Sequence, residues 1–268
     1  MTDWRLLSSG NGSASGNMAI DEALLRCFDP QISRPVLRFY GWNRPALSLG
    51  RFQQAAEILS LEHCGRDTLP LVRRITGGGV IYHGDEITYS IVCAPHQLPT
   101  TDSIKDAYRV LTGFLLAWYR RRGLDARYAV DLGTDAASLG VPTPYCFAGR
   151  ESFDILIDGK KIGGNAQRRL KQVIFQHGSL PLKNRAVRGH GYMRDQSSAL
   201  AGTTTSLEEQ GISGEVQQLE QELAEEFCCQ LGCTVTADGL TSQESGLAEL
   251  LARGKYSSEQ WNREGREG

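Results

Sequence analysis

Strand-like and helix-like stretches of this chain do not alternate one for one, and that ordering excludes more folds than any other feature of the sequence. Apolar residues at helical spacing mark Asn17–Phe28, Asp102–Arg122, Gly214–Leu231 and Ser242–Ala252, with Asn17 and Asp102 standing where N-caps belong. Short strand-like runs are Val36–Tyr40, Ala46–Leu49, Glu86–Val92, Phe153–Ile157 and Val173–Gln176. A doubly wound parallel sheet needs a crossover helix between successive strands, and this order does not supply them. The expectation is an α+β fold, with helices packed on mixed, largely antiparallel sheets. Asp158-Gly159, between the run ending at Ile157 and the one starting at Lys161, has the composition of a tight hairpin turn.

Composition narrows the function classes. The 268 residues carry 29 basic and 31 acidic side chains, a net charge of -2. So even a balance gives no support to a protein that coats nucleic acid or clings to an acidic membrane surface. No apolar run approaches the roughly 18–20 residues that span a bilayer. The start, Met1-Thr2-Asp3-Trp4-Arg5, lacks the basic-then-apolar pattern of a signal peptide, so a cytoplasmic location is expected. Seven cysteines are too few and too scattered for a secreted disulfide framework. Cys228, Cys229 and Cys233 cluster, but they follow Leu219, Leu223, Phe227 and Leu231 on one helical pattern, with no His nearby to complete a zinc site. They read as ordinary core or surface residues, and no metal site is expected.

Three glycine clusters need separate weighing. Gly10-Asn11-Gly12-Ser13-Ala14-Ser15-Gly16 has the wrong gap before its last glycine for a dinucleotide fingerprint and reads as a flexible turn. Gly159-Lys160-Lys161 is no phosphate loop, because Asp154 and Lys161 occupy the places of the leading glycine and the trailing Ser or Thr. The run from Arg73 to His83 differs: Gly77, Gly78 and Gly79 lie between the basic pair Arg73-Arg74 and an apolar strand. Consecutive glycines are conformationally expensive, and they let a ligand lie against bare backbone while Arg73 or Arg74 neutralises an anion. Further on, Gly159-Lys160-Lys161-Ile162-Gly163-Gly164-Asn165-Ala166-Gln167-Arg168-Arg169 is followed by Gln176-His177-Gly178-Ser179.

These segments together resemble the lipoate ligase and octanoyltransferase family, which is related to biotin ligases. The resemblance rests on Asn17-Met18-Ala19-Ile20-Asp21-Glu22-Ala23-Leu24-Leu25, the Arg73–His83 run, the Gly159–Arg168 run, Gln176–Ser179, and the tail segment Lys255-Tyr256-Ser257-Ser258-Glu259-Gln260-Trp261-Asn262. It implies one catalytic domain of the biotin and lipoate ligase type over residues 1–262, with a polar, frayed tail at 263–268, and a fold like that of class II aminoacyl-tRNA synthetases. A biotin ligase fits less well, since the basic Gly-Arg-Gly-Arg loop of those enzymes is missing. The resemblance makes Lys161 the counterpart of the family's catalytic lysine. It also implies substrate-binding roles for Arg73, Gly77, Gly78, Gly79, His83, Gly164, Ala166 and His177.

The family holds two chemistries. A ligase activates a free acid with ATP and magnesium, whereas a transferase takes an octanoyl group from acyl carrier protein and needs no cofactor. A transferase can pass the acyl group through a cysteine, which divides one transfer into two steps. Cys146, in Pro144-Tyr145-Cys146-Phe147, precedes Lys161 by fifteen positions, as the nucleophile does in the Bacillus type of octanoyltransferase. A neighbouring ammonium favours the thiolate that such a nucleophile must be. The expected acceptor is a lysine of the glycine cleavage H protein or of a lipoyl domain of a 2-oxoacid dehydrogenase. Transfer is further favoured because family ligases often carry an accessory domain, and here the sequence stops soon after Trp261. Against it, Gly149-Arg150-Glu151-Ser152-Phe153-Asp154 is closer to the Gly-Arg-x-Asp segment of ligases, so an ATP-dependent lipoate ligase is the alternative reading. A non-catalytic homologue that only binds carrier domains is the third.

Overall fold

The computed structural model describes residues 1–99, 103–133, 139–197, 200 and 202–267. The N-terminal half runs β1 (Asp3–Gly12), α1 (Ala14–Cys27), β2 (Val36–Trp42), β3 (Ala46–Leu49), α2 (Ala55–Ile58), α3 (Leu61–Arg66), β4 (Leu71–Arg73), β5 (Ile81–His83) and β6 (Glu86–Cys93). After α4 (Ile104–Arg121) come β7 (Ala126–Tyr128), β8 (Ile155–Ile157), β9 (Lys160–Lys161), β10 (Gly164–Leu170) and β11 (Val173–Pro181). The chain then forms α5 (Ala186–His190), α6 (Val216–Leu231), β12 (Thr234–Ala237) and α7 (Ser242–Gly254).

Among the described residues, the largest sheet has the strand order β10-β11-β6-β2-β1-β12. The β1 strand pairs parallel with β2 and β12, while β2, β6, β11 and β10 pair antiparallel in succession. Its two faces follow from period-two alternation. Leu37, Phe39, Ile87, Tyr89 and Ile91 enter one core with Phe114 of α4 and Leu223 and Phe227 of α6. Val36, Tyr40, Val92 and Phe175 enter the other, with Met18, Ala23 and Leu24 of α1 and Leu251 of α7. A smaller sheet, β4-β3-β5, and a third, β7-β8-β9, flank it. The mixed α+β architecture is the expected one.

Some local expectations change. The N-cap of α1 is Ser13, whose side chain accepts from Gly16 N, and Asn17 lies buried inside the helix. Asn17 Nδ2 instead donates to Gly41 O at 2.9 Å. The stretch through Gly12 is strand rather than turn, because pairing of Asn11 and Gly12 with β2 overrides its poor local propensity. Asp102 lies outside the described residues, and Ser103 caps α4 by accepting from Asp106 N at 3.1 Å. The hairpin at Asp158-Gly159 forms as the composition suggests: both residues have positive φ, 50° and 73°, and the pair joins β8 to β9. Cys228 and Cys233 pack on the α6 core and Cys229 is exposed. The tail segment is tied down: Arg51 Nη1 donates to Gly265 O at 2.8 Å and Lys255 pairs with Glu267 at 2.8 Å. No helix among the described residues is long and apolar enough to cross a membrane.

Candidate active site

Two cross-strand rows on the α1 face of the large sheet make the floor of the site. Register aligns Arg38, Ser90, His177 and Ala166 across β2, β6, β11 and β10, and in the next row Tyr40, Thr88, Ser179 and Gly164. Directly opposed residues share a face, so the polar members collect at one end of an otherwise apolar surface. Ala166 and Gly164 end the rows with almost no side chain, which leaves a hollow over β10. From α1, Asp21 accepts from Arg38 Nη1 at 2.7 Å, Tyr40 OH at 2.9 Å and Ser90 Oγ at 2.8 Å. Burial raises the Asp21 carboxyl, but the Arg38 charge and His177 bring it below its ordinary value. His177 lies between Asp21, 3.7 Å from its Nδ1, and Thr76, whose Oγ1 is 2.7 Å from its Nε2. Burial lowers the His177 pKa despite the Asp21 charge, so the neutral ring is favoured.

The glycine loop between β4 and β5 forms one wall. Its bare backbone is required by neighbours as much as by a ligand. A Cβ on Gly79 would come within 2.7 Å of Cys146 N and 2.8 Å of Thr143 O, and one on Gly50 would meet Gly78 O at 2.0 Å. Gly78 itself has φ +96°, a conformation that favours glycine. With no side chains in the way, Val80 N donates to Pro144 O at 2.8 Å and Cys146 N to Val80 O at 2.9 Å. Arg74 braces the loop through Nη2, which donates to Gly77 O and Gly79 O, both at 2.8 Å. Its buried Nε has no hydrogen-bond partner among the described residues.

Cys146 opens a short helical turn over Cys146–Ala148, and Lys161 approaches it from β9. Adjacent strand residues point to opposite sides, so Lys160 is exposed while Lys161 is only 2% exposed. Lys161 Nζ is 2.6 Å from Asp154 Oδ2 and donates to Cys146 O at 2.9 Å and Gly149 O at 3.1 Å, with Cys146 Sγ 3.9 Å away. Burial acts against this ammonium, but Asp154 and then Cys146 raise its pKa above the usual lysine value. It stays charged. A Cβ on Gly164 would sit 3.1 Å from Cys146 Sγ, so the thiol occupies the hollow that the second row leaves.

The cavity enclosed by these parts has a volume of about 530 Å³. Of the residues singled out in the sequence, Gly77, Gly78, Gly79, His83, Cys146, Lys161, Gly164, Ala166 and His177 all line it. His83 does so with both ring nitrogens engaged, by Glu86 at 2.8 Å and Ser48 at 2.7 Å, and with its ring stacked on Trp42. Arg73 does not line it. Its wholly buried guanidinium donates to the carbonyls of Gly50, Arg51 and Gln53 and to those of Trp261, Asn262 and Arg263, so it fastens the C-terminal segment. The side chain of the pair that reaches the cavity is Arg74. The sequence reading assigned no site role to Asp154, Thr76 or Asp21. Asp154 could have been suspected from the hairpin, which brings its segment back beside Lys161.

A family model for the lipoyl protein ligase A/B catalytic domain matches residues 13–235. The chain is 34% identical to the octanoyltransferase LipM of Kyrpidia tusciae over 272 residues, covering 98% of this chain and 99% of that one. It is 32% identical to the LipM of Bacillus subtilis, covering 97% of both. Among solved structures, a lipoate-protein ligase A bound with ATP superimposes with a TM-score of 0.80 at 25% identity, over 98% of this chain and 99% of that one.

Proposed function

Since the chain belongs to the lipoyl protein ligase A/B catalytic domain family, we propose that it is an octanoyltransferase of protein lipoylation that works through a thioester on Cys146. The donor is octanoyl-acyl carrier protein, and the acceptor is a lysine of the glycine cleavage H protein or of a lipoyl domain. The observation that carries this reading is the Lys161 ammonium 3.9 Å from the Cys146 sulfur in the wall of the cavity. An ammonium there favours the thiolate, and the thiolate is the nucleophile. Its attack on the donor's carbonyl carbon forms one C–S bond and breaks another, releasing the carrier's thiol. Negative charge on the carbonyl oxygen develops near the Lys161 ammonium, whose positive charge stabilises it. The acyl chain lies along the apolar part of the cavity, near Met18, Ile58 and Ile81, where each buried methylene contributes about 0.8 kcal/mol. In the second step the acceptor amine attacks the thioester and Cys146 leaves as the thiolate.

Intact-mass measurement after mixing with octanoyl-acyl carrier protein, without ATP or magnesium, tests the reading. An octanoyl adduct that maps to Cys146 and is removed by hydroxylamine is the expected result. A second reading, ATP-dependent lipoate ligation, is supported by the Gly149–Asp154 segment and by the likeness to the ATP-bound ligase. Pyrophosphate release that depends on free octanoate or lipoate, with no adduct on Cys146, would establish it instead.

A further inference from the structure

The charged side chains lining the cavity among the described residues are Arg74, Lys161, Asp154 and Glu151. Three of them are spent within the protein. Arg74 holds the glycine loop, and Lys161 and Asp154 hold each other at 2.6 Å. Asp154 also accepts from Glu151 N at 2.7 Å, so the same turn that buries Asp154 brings Glu151 to the cavity rim, where it is exposed. The Glu151 carboxylate makes no hydrogen bond or ion pair among the described residues. Partial desolvation and the like charge of Asp154 raise its pKa above the ordinary value, against the opposing pull of the Lys161 charge.

Once Cys146 is acylated its sulfur carries no charge. The cavity then has two cations and two carboxylates, and without Glu151 the balance facing an incoming cation would be positive. The acceptor is such a cation, because a lysine side chain is an ammonium at neutral pH.

We propose that Glu151 is the specificity-determining residue for the acceptor, holding the incoming lysine ammonium at the mouth of the acylated site. This rests on the Cys146 thioester of the proposed function. The bound ammonium loses one proton to water, and the free amine attacks the thioester carbon. A C–N bond forms as the C–S bond breaks, sulfur leaves as the thiolate, and the second proton on nitrogen passes to solvent.

The experiment uses octanoyl-enzyme made from octanoyl-acyl carrier protein and follows its discharge by intact mass. One probe is n-butylamine, a cation at neutral pH, and the other is hydroxylamine, uncharged there, which sets each variant's own baseline. The ratio of butylamine to hydroxylamine rates is expected to fall about fivefold in Glu151→Gln, the size of a solvent-screened ion pair. Glu151→Asp restores most of it. Added salt lowers the ratio in the wild type and leaves it flat in Glu151→Gln, a response that loss of local structure would not produce. Equal, equally salt-insensitive ratios in wild type and Glu151→Gln overturn the assignment of Glu151 alone. A wild type that forms no Cys146 adduct overturns the thioester reading and this inference with it.

Discussion

Lys161 shows how much one side chain's direction decides. Its neighbour Lys160 carries the same charge one residue away but faces solvent. Lys161→Ala should slow octanoylation of Cys146 at least about tenfold, a barrier increase of about 1.4 kcal/mol, and should slow iodoacetamide alkylation of the thiol at neutral pH. Lys160→Ala should do neither. Removing Lys161 also strands buried Asp154, so the folded fraction must be checked by circular dichroism alongside. His177 offers a second test, through pH. Its folded pKa is depressed below the ordinary 6.5, so the unfolded chain takes up the proton first. Its contribution to stability is therefore complete above pH 6.5 and is lost as pH falls below that value. The urea midpoint of the wild type should drop between pH 7.5 and pH 5.5, and the drop should shrink in His177→Gln. Cys146 and Lys161 were legible because both lie in short, recognisable runs. His177 was legible too, but its setting was not: Asp21 of α1, Thr76 of the glycine loop and His177 of β11 come from three distant segments that only the tertiary fold brings together.

Element by element, the glycine loop is the part that tolerates least. Gly79→Ala drives a methyl against backbone atoms of Cys146 and Thr143, which cannot swing aside as a side chain could. The loss should be about 1–3 kcal/mol by urea denaturation. Gly77→Ala, whose methyl would meet nothing within 4 Å, should stay within about 0.5 kcal/mol of wild type. In the sequence all three glycines looked like one ligand-binding signal. The structure divides their reasons between an open position, a left-handed backbone and a close approach. The β8–β9 hairpin was readable because Asp-Gly demands one kind of turn. The polar edge strand β10 was not, since Gln167, Arg168 and Arg169 give no apolar alternation, and pairing with β11 alone makes it a strand.

For the molecule as a whole, the far ends of the chain hold the middle. β1 pairs with β12, and Glu22 of α1 binds Lys255 at 2.9 Å and also accepts from Tyr256 OH. Arg73, pulled down to about 10 by burial and then by the nearby Arg51 charge, is satisfied by neutral carbonyls from two separate segments. Arg73→Met should cost at least about 3 kcal/mol, because several buried carbonyls lose their donor together. The urea midpoint should fall while the apparent affinity for octanoyl-acyl carrier protein, measured on folded protein in the cold, stays unchanged. The opposite pattern would return Arg73 to a binding role. The overall α+β class was legible from the order of short strands and long helices, but the closure between termini was not, since nothing local in residues 255–262 reveals that they pack against residues 22 and 73.

That closure also sets a schedule. A polypeptide leaving the ribosome makes Arg73 long before it makes the carbonyls of Trp261, Asn262 and Arg263 that Arg73 requires. Arg74 is the next residue in the chain, and the glycine loop it holds pairs with the Cys146 segment. A nascent chain thus carries Cys146 and Lys161 through the synthesis of residues 162–263 without the full frame around them. The frame around Cys146 is complete only once translation has passed the last of these residues.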